Sequence, residues 1–366
     1  MRLLVAGGGT GGHLFPGIAI AEEITRRGGG EVLFVGTSRG IETRAVPAAG
    51  YALETLEVSG LKRMGFAGTL RGLGRLPLAM VRSFAILRRF RPDVVVGVGG
   101  YASGPMVLAA ALCRYPTAIQ EQNSVPGITN RALGKLVSVI FIAFADAARF
   151  FPARKLARLG NPVRGKIVAA LESAGHAAAA AETLRILVVG GSQGARAVSE
   201  LVVGAAPLLA REGISFSIVH QTGTADLDRM TERYRALGLD GRVTVKAFID
   251  DMAAAYGAAD LVIARAGALT LAELAIAGKA AILVPLPTAA DDHQSKNAAC
   301  FAESGAALLL DQRKASAADL AAVVKKLASD RDQRAAMSSA MRALARPRAA
   351  ADIADRLEAL ARSLSR

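Results

Sequence analysis

The chain contains no tryptophan, and aromatic residues make up only 5% of its 366 residues. Hydrophobic residues nevertheless account for 52%, so the core must consist mainly of alanine, valine, leucine and isoleucine. This composition favours buried parallel strands covered by alanine-rich helices over an antiparallel sandwich or barrel. The length suits two domains of about 150–200 residues each.

Cysteine is also scarce. Cys113 and Cys300 are the only two, and each lies in an apolar stretch that looks helical. Two isolated thiols form neither a disulfide framework nor a metal-ligand motif. We therefore expect both to be buried core thiols of a protein in a reducing cytoplasm.

Long apolar runs are missing as well. No window reaches the roughly 18 apolar residues of a transmembrane helix. The apolar run at residues 3–6 ends in glycines and is shorter than the roughly 7–15 residues of a signal-peptide core. We expect it to be a first β-strand, in a protein that is soluble or lies on a membrane surface.

Positive charge, by contrast, is abundant, with a formal net charge of +14. Such an excess indicates an anionic partner, either nucleic acid, an acidic membrane surface or a phosphorylated substrate. Part of it is concentrated between Leu61 and Arg91, where no acidic residue occurs; the basic residues are Lys62, Arg63, Arg71, Arg75, Arg82, Arg88, Arg89 and Arg91. Leucines alternate with them, which favours an anionic membrane over nucleic acid. The alternative is a helix with an ordinary core stripe and a solvated basic face.

Short apolar runs alternate with helical patterns along the whole chain. The runs are residues 3–6, 32–35, 94–98, 137–142, 186–189, 216–219, 243–245, 261–263 and 281–284. This alternation predicts βαβ units with parallel strands. The strand-to-glycine turn at residues 3–8 recurs at 186–191, which predicts two successive doubly wound domains. We place them at 1–163 and 164–345, with a final helix at 346–366 packing back on the first domain. An alanine-rich surface insertion is expected at 177–181.

A glycine-rich turn, GGGTGGH at residues 7–13, follows the first predicted strand. Glycines allow backbone amides to approach a phosphate, and a helix N-terminus favours negative charge. The order does not match the dinucleotide fingerprint and no acidic residue ends the second predicted strand, which argues against a dehydrogenase. The turn is not a Walker loop either, because no Lys-Ser/Thr pair follows it. His13 lies at the mouth of this turn, where both a capping role and a functional role remain open.

Similar turns follow other predicted strands. One is GVGGYASGP at residues 97–105, which together with the first turn could form a paired anion cradle. Another is GGSQGAR at 190–196, and a fourth is RAGALTLAEL at 265–274. In the last, Glu273 could accept hydrogen bonds from ribose hydroxyls or could simply be a solvated charge near a helix N-terminus.

These segments, together with EQN at residues 121–123, GNPVR at 160–164, FIDDM at 248–252 and HQ at 293–294 with Asn297, resemble the MurG family of glycosyltransferases. The motifs occur in the family's order over nearly the whole chain. The resemblance implies a GT-B fold, an α/β architecture of two Rossmann-like parallel-sheet domains facing a cleft. Gln120 stands where relatives often carry histidine, and residues 287–293 are one residue longer than in some relatives.

The resemblance also implies an activity, the transfer of N-acetylglucosamine (GlcNAc) from UDP-GlcNAc to the muramyl 4-hydroxyl of undecaprenyl-pyrophosphoryl-MurNAc-pentapeptide (lipid I). The alternative is a UDP-sugar transferase that acts on another lipid acceptor. The implied location is peripheral, on the cytoplasmic face of the inner membrane, with no nucleic-acid partner. The residues implied to bind UDP-GlcNAc are Thr10, Gly11, Gly12, Asn123, Arg164, Ser192, Ile249, Ala268, Leu269, Thr270, Leu271, Ala272, Glu273, Gln294 and Asn297. Those implied for the acceptor pyrophosphate are Gly9, Gly99, Gly100 and Tyr101.

We expect an inverting transfer that needs no cofactor and no metal ion. His13 is the preferred general base, because an imidazole titrates near neutral pH, and Glu121 is the second candidate. Asp250 and Asp251 are adjacent and precede a helix, so helix capping is a better interpretation than metal binding.

Overall fold

The computed structural model describes residues 1–28, 30–58, 66–173, 183–190 and 195–363, without the side chains of 66–75 and 290. The predicted insertion at 177–181 and Ser192 lie outside these ranges. The described residues fall into two units, Met1–Gly165 with Pro347–Arg366 (unit 1) and Lys166–Arg346 (unit 2).

Strands and helices alternate within both units. The strands are β1 (Leu3–Gly7), β2 (Val32–Thr37), β3 (Ala52–Leu56), β4 (Val94–Gly99), β5 (Thr117–Glu121), β6 (Val139–Ile142), β7 (Leu156–Arg158), β8 (Leu184–Val189), β9 (Phe216–Gln221), β10 (Val243–Lys246), β11 (Leu261–Ala264), β12 (Ala281–Leu283) and β13 (Ala307–Leu309). The α-helices are α1 (Gly11–Arg26), α2 (Glu42–Ala48), α3 (Phe66–Phe90), α4 (Ser103–Leu112), α5 (Ile128–Leu133), α6 (Gly165–Ser173), α7 (Arg196–Arg211), α8 (Leu227–Ala236), α9 (Met252–Ala258), α10 (Ala268–Ala277), α11 (His293–Glu303), α12 (Ala317–Ser329), α13 (Arg331–Ala343) and α14 (Ala349–Ser363).

Unit 1 is built on a parallel sheet with the strand order β3-β2-β1-β4-β5-β6-β7 in its described part. Successive side chains of a strand point to opposite faces. Leu4 of β1 therefore packs in the core on one face, whereas Leu3 and Val5 pack on the other. Neighbouring strands on both sides bury β1, which explains why its apolar run is continuous rather than alternating.

The last helix, α14, completes the second face of the unit 1 sheet. Ile353 and Leu357 are fully buried in the same core as Leu3 and Val5. Arg27, which follows α1, holds this helix by donating to the Asp355 carboxylate at 2.6 Å and to the carbonyl of Ala351 at 2.9 Å. The closing helix of the chain is therefore an integral part of unit 1.

Unit 2 repeats the same plan. Its described strands form a parallel sheet in the order β10-β9-β8-β11-β12-β13. The core on one face combines β8, β9 and β11 with α7 and α12, for example through Ile186, Val202, Ile263 and Val324. Strand order reverses between β8 and β11, just as it does between β1 and β4 in unit 1. Doubly wound sheets bind ligands at such reversal points.

The fold class predicted from the sequence is confirmed, and each predicted strand is present with shifted ends. The prediction that both cysteines are buried is wrong. Cys113 is exposed and Cys300 is half-buried. Cys113 lies directly after α4, in an exposed turn that includes Arg114 at φ 58° and leads to β5. No helix in the described part of the chain is long and apolar enough to cross a membrane.

Candidate active site

Two glycine loops interlock where the strand order of unit 1 reverses. The first glycine loop, residues 7–13, starts at the end of β1, and the second glycine loop, residues 97–105, starts in the last part of β4. The amide of Gly8, after β1, donates to the carbonyl of Gly99, at the end of β4, over 3.2 Å. Gly100 has φ +82°, and a Cβ there would lie 2.3 Å from the Gly8 carbonyl oxygen. Any other residue at position 100 would therefore push the two loops apart. The first amides of α1, including those of Gly11 and Gly12, have no acceptor within the helix and can face an anion.

A buried carboxylate holds the first of these loops from behind. Glu42 is fully buried and accepts hydrogen bonds from the amide of Gly9 at 2.7 Å and from the amide and hydroxyl of Thr37 at 2.8 and 2.7 Å. Burial alone would raise the pKa of Glu42, but these donors lower it below its usual value. The Gly9 amide thus donates to Glu42, which leaves Gly11 and Gly12 as donors to an outside anion.

His13 lies in the first turn of α1, against the second glycine loop. Its Nδ1 atom is 3.0 Å from Oε1 of Gln122, which follows β5. A Cβ on Gly99 would lie 2.8 Å from the same ring nitrogen. The glycine therefore provides the space that the imidazole occupies. His13 is half-buried, and among the described residues Gln122 is the one hydrogen-bond partner of its ring.

Glu121, the second candidate base, has a different environment. It is 1% exposed. One carboxylate oxygen accepts from the amide of Asn123 at 2.9 Å, and the other accepts from the Asn130 side chain at 2.9 Å and from the Gly127 amide at 3.3 Å. These contacts order the loop that carries Asn123. They favour a structural role for Glu121 over proton transfer.

Arg164 is placed near the start of α1 in unit 1. Its guanidinium lies 5.3 Å from the ring centroid of Phe15, a cation–π contact. Arg164 also partly offsets the burial that raises the pKa of Glu22, further along the same helix. This arginine is therefore close to the helix whose first turn carries His13.

Tyr101, in the second glycine loop, is 52% exposed and free to meet a large ligand.

In unit 2, residues 265–267 connect β11 to α10, and the first turn of α10 contains Ala268, Leu269 and Thr270. Leu271, Ala272 and Glu273 follow in the same helix. The Glu273 carboxylate accepts a hydrogen bond from the hydroxyl of Tyr256 at 3.2 Å. Tyr256 is fully buried, and burial together with Glu273 raises its pKa well above the usual value, so it remains a donor. Glu273 is therefore an anchored carboxylate rather than a fully solvated one.

Of the other residues predicted to bind UDP-GlcNAc in unit 2, Gln294 and Asn297 lie in α11, which follows β12, and Ile249 follows β10. Gln294 accepts from the amide of Leu286 at 3.0 Å, and Asn297 is buried with its amide 3.4 Å from the carbonyl of Ala266. Ile249 is 5% exposed and precedes α9. Asp251 caps that helix by accepting from the Ala254 amide at 2.9 Å, as predicted. No group of three His, Cys, Asp or Glu side chains among the described residues is arranged to hold a metal ion.

Sequence reasoning assigned no role to Arg265. This residue follows β11 and is 9% exposed, and its guanidinium donates to the carbonyls of Val284 and Pro285 at 2.9 and 3.1 Å. Burial lowers its pKa. A charged residue directly after a buried strand, inside a turn of small residues, was the available signal. The structure thus has a buried arginine in the turn that leads from β11 to α10.

Comparison with known proteins identifies the family. Residues 3–142 match the glycosyltransferase family 28 N-terminal domain, and residues 185–357 match its C-terminal domain. A relative from Anaeromyxobacter dehalogenans, named UDP-N-acetylglucosamine--N-acetylmuramyl-(pentapeptide) pyrophosphoryl-undecaprenol N-acetylglucosamine transferase, is 50% identical over 97% of this chain and 92% of its own. The protein of that name from Syntrophus aciditrophicus is 45% identical over 99% of both chains. The chain belongs to the MurG family.

A solved MurG structure agrees with this assignment. The crystal structure of MurG from Acinetobacter baumannii has a TM-score of 0.78 to this chain at 31% identity, covering 98% of this chain and 99% of that one. The family resemblance predicted from the motifs is therefore confirmed. The two glycosyltransferase family 28 domains also match the presence of two Rossmann-like units.

Proposed function

We propose that this chain transfers GlcNAc from UDP-GlcNAc to the muramyl 4-hydroxyl of lipid I, which yields the disaccharide lipid precursor of peptidoglycan. The main support is the identity of 45–50% over nearly the full chain to transferases named for that reaction. The glycine loops of unit 1 and the helix N-termini near the reversal points of both sheets are the kind of site that such anionic substrates require.

Unit 2 binds the donor in this proposal. The first turn of α10 and the buried guanidinium of Arg265 supply positive potential for the diphosphate. Glu273, anchored by Tyr256, accepts hydrogen bonds from the ribose hydroxyls, and the backbone at Ile249 contacts the uracil edge. Gln294 and Asn297 contact the GlcNAc hydroxyls. Their side chains are already held by backbone groups, so little conformational entropy is lost when the sugar binds.

Unit 1 binds and activates the acceptor. The second glycine loop, with Gly99, Gly100 and Tyr101, receives its pyrophosphate, while His13 accepts the proton of the muramyl 4-hydroxyl. The oxygen then forms a bond to the anomeric carbon of GlcNAc as the bond from that carbon to UDP breaks, with inversion. UDP leaves with one more negative charge, and the first turn of α10 and the guanidinium of Arg265 stabilise that developing charge.

A direct assay tests this function. The full chain is incubated with UDP-GlcNAc and a short-chain lipid I analogue, and the product is analysed for the disaccharide and for release of one UDP per transfer. A glycolipid that lacks the muramyl sugar serves as the acceptor control. Turnover with the glycolipid but not with the lipid I analogue would support the alternative of another lipid acceptor. Absence of turnover with both would refute the proposal.

An exposed part of α3 supports docking on an anionic membrane. Leu78 and Val81 are each 65% exposed, and Arg82 and Arg88 are exposed on the same helix. Ser83 and Leu87 of the same helix are buried, so Leu78 and Val81 lie outside the core. An apolar surface flanked by arginines suits insertion among acidic lipid headgroups, where a polyprenyl substrate must remain.

The double variant Leu78→Ser/Val81→Ser is expected to bind anionic vesicles at least about tenfold more weakly, because burying each of these side chains in the membrane contributes about 1.5–3 kcal/mol. Replacing Arg82 and Arg88 with glutamine is expected to weaken it by about tenfold at low salt and less at high salt. Flotation with anionic and neutral vesicles measures both effects. Leu237→Ser, at a 43% exposed site in unit 2, is the control. Unchanged flotation of both variants would contradict docking through α3.

A further inference from the structure

Three buried carboxamides form a hydrogen-bonded chain that ends at His13. Gln120 is fully buried, Gln122 is 1% exposed and Asn161 is 5% exposed. The Asn161 amide donates to the backbone carbonyl of Gln122 at 3.0 Å. The Gln120 amide donates to Oδ1 of Asn161 at 3.0 Å. The Gln122 amide donates to Oε1 of Gln120 and, at 2.8 Å, to the carbonyl of Val98.

Backbone groups fix the direction of this chain at both ends. A carboxamide has an acceptor oxygen and a donor nitrogen, and its two orientations are normally chosen from the surrounding hydrogen bonds. The carbonyls of Gln122 and Val98 can only accept. The nitrogens of Asn161 and Gln122 must therefore face them, and the oxygen of Gln120 must face the nitrogen of Gln122. Reversing any member would bring two acceptors or two donors into contact at a buried site.

This direction determines what His13 meets. With its nitrogen committed to Val98 and Gln120, Gln122 presents Oε1 to the imidazole, 3.0 Å from Nδ1. A neutral imidazole carries its proton on one nitrogen and a lone pair on the other. Because Oε1 accepts, Nδ1 must donate. The proton of neutral His13 therefore lies on Nδ1, and Nε2 has the lone pair.

We propose that Gln122, oriented by Gln120 and Asn161, is a positioning residue that fixes the tautomer of His13 and makes Nε2 its proton-accepting atom. The assignment of the accepted proton to the muramyl 4-hydroxyl rests on the function proposed above. Orienting a catalytic base through its second nitrogen is the role of the third member of a hydrolase triad. A neutral amide performs it here instead of a carboxylate.

Nitrogen-15 NMR of the full chain labelled at histidine tests the tautomer directly. The sequence has four histidines, and the His13 signals are assigned by their loss in His13→Gln. At a pH where His13 is neutral, we expect protonated-type nitrogen at Nδ1 and lone-pair-type nitrogen at Nε2. In Gln122→Met, which has a similar length but no acceptor, we expect a mixture of tautomers. A wild-type proton on Nε2 would overturn the proposal whether or not the variant folds.

Kinetics separate positioning from a merely structural role. Gln122→Met is expected to lower kcat by about 10- to 100-fold, part of the effect of a general base, with KM for UDP-GlcNAc within about twofold. In a His13→Ala background the same substitution should cost little further activity, because residues that act as a unit are not additive. An equal loss in both backgrounds would overturn the proposal. If His13→Ala itself leaves turnover unchanged, the base role fails, while the tautomer result still stands.

Discussion

Replacing His13 with alanine is expected to lower kcat by about 10²- to 10⁴-fold, the usual contribution of a general base. Gln122 holds the half-buried His13 at Nδ1, and Nε2 has no hydrogen-bond partner among the described residues, so it is available to take a proton. The proposed donor residues of unit 2 are unaffected by the change. We therefore expect the affinity for UDP-GlcNAc, measured by calorimetry, to stay within about twofold. An equal loss of turnover and donor affinity would refute the base role.

Glu121→Gln is the matched comparison, because it removes the other candidate base without changing its size. An amide nitrogen at this site would face the donors of either Asn123 or Asn130. We expect a loss of about 1–3 kcal/mol in the free energy of unfolding, the cost of an unsatisfied buried group, rather than a loss of turnover per folded molecule. If Glu121→Gln folds normally and loses turnover as His13→Ala does, Glu121 becomes the better candidate for the base.

The second large effect is expected in the acid stability of unit 2. His220, in β9, is 1% exposed between the hydroxyls of Ser199, at 3.1 Å, and Tyr234, at 2.9 Å. Burial lowers its pKa from 6.5 to about 4. Between these values the unfolded chain binds a proton that the folded chain does not. His220 therefore does not reduce the free energy of unfolding above about pH 6.5. Between about pH 6.5 and pH 4 it lowers this free energy by about 3 kcal/mol in total.

His220→Gln, which keeps a donor and an acceptor but does not titrate near these pH values, should lose most of that dependence. Hydrogen exchange of β8 and β9 between pH 7 and 4.5, corrected for intrinsic rates, measures the free energy of opening in both proteins. Other buried groups, such as Asp260 with its lowered pKa, contribute equally to each and cancel in the difference. Identical pH dependence in the two proteins would contradict a buried neutral His220.

Most strands could be predicted from the sequence, because buried parallel strands leave a hydrophobic signal. β5 was missed because it ends in Gln120 and Glu121, which are buried polar residues. β3 was missed because it contains Glu54 and Thr55. β7 and β13 were missed because they have three residues each, too few to establish the apolar pattern on which prediction depends.

The candidate site was predictable where backbone conformation demands glycine and where a motif follows a strand. The roles of Glu42, Gln122 and Arg265 were not predictable in this way. Each acts through a partner distant in the sequence, such as Gly9 for Glu42 or His13 for Gln122, and the contact exists only once the sheet has formed. Hydrogen bonds of this kind depend on three-dimensional placement, which local sequence patterns do not encode.

The position of α14 has a consequence for biosynthesis. Unit 1 consists of Met1–Gly165 and Pro347–Arg366, so the ribosome makes its final helix only after all of unit 2 has been translated. Until then Leu3, Val5 and Ile18 lack the cover that Ile353 and Leu357 provide. Domains usually fold in the order in which they are synthesised. In this chain the core of unit 1 is complete only once α14 has been synthesised, so unit 2 can finish folding before unit 1 does.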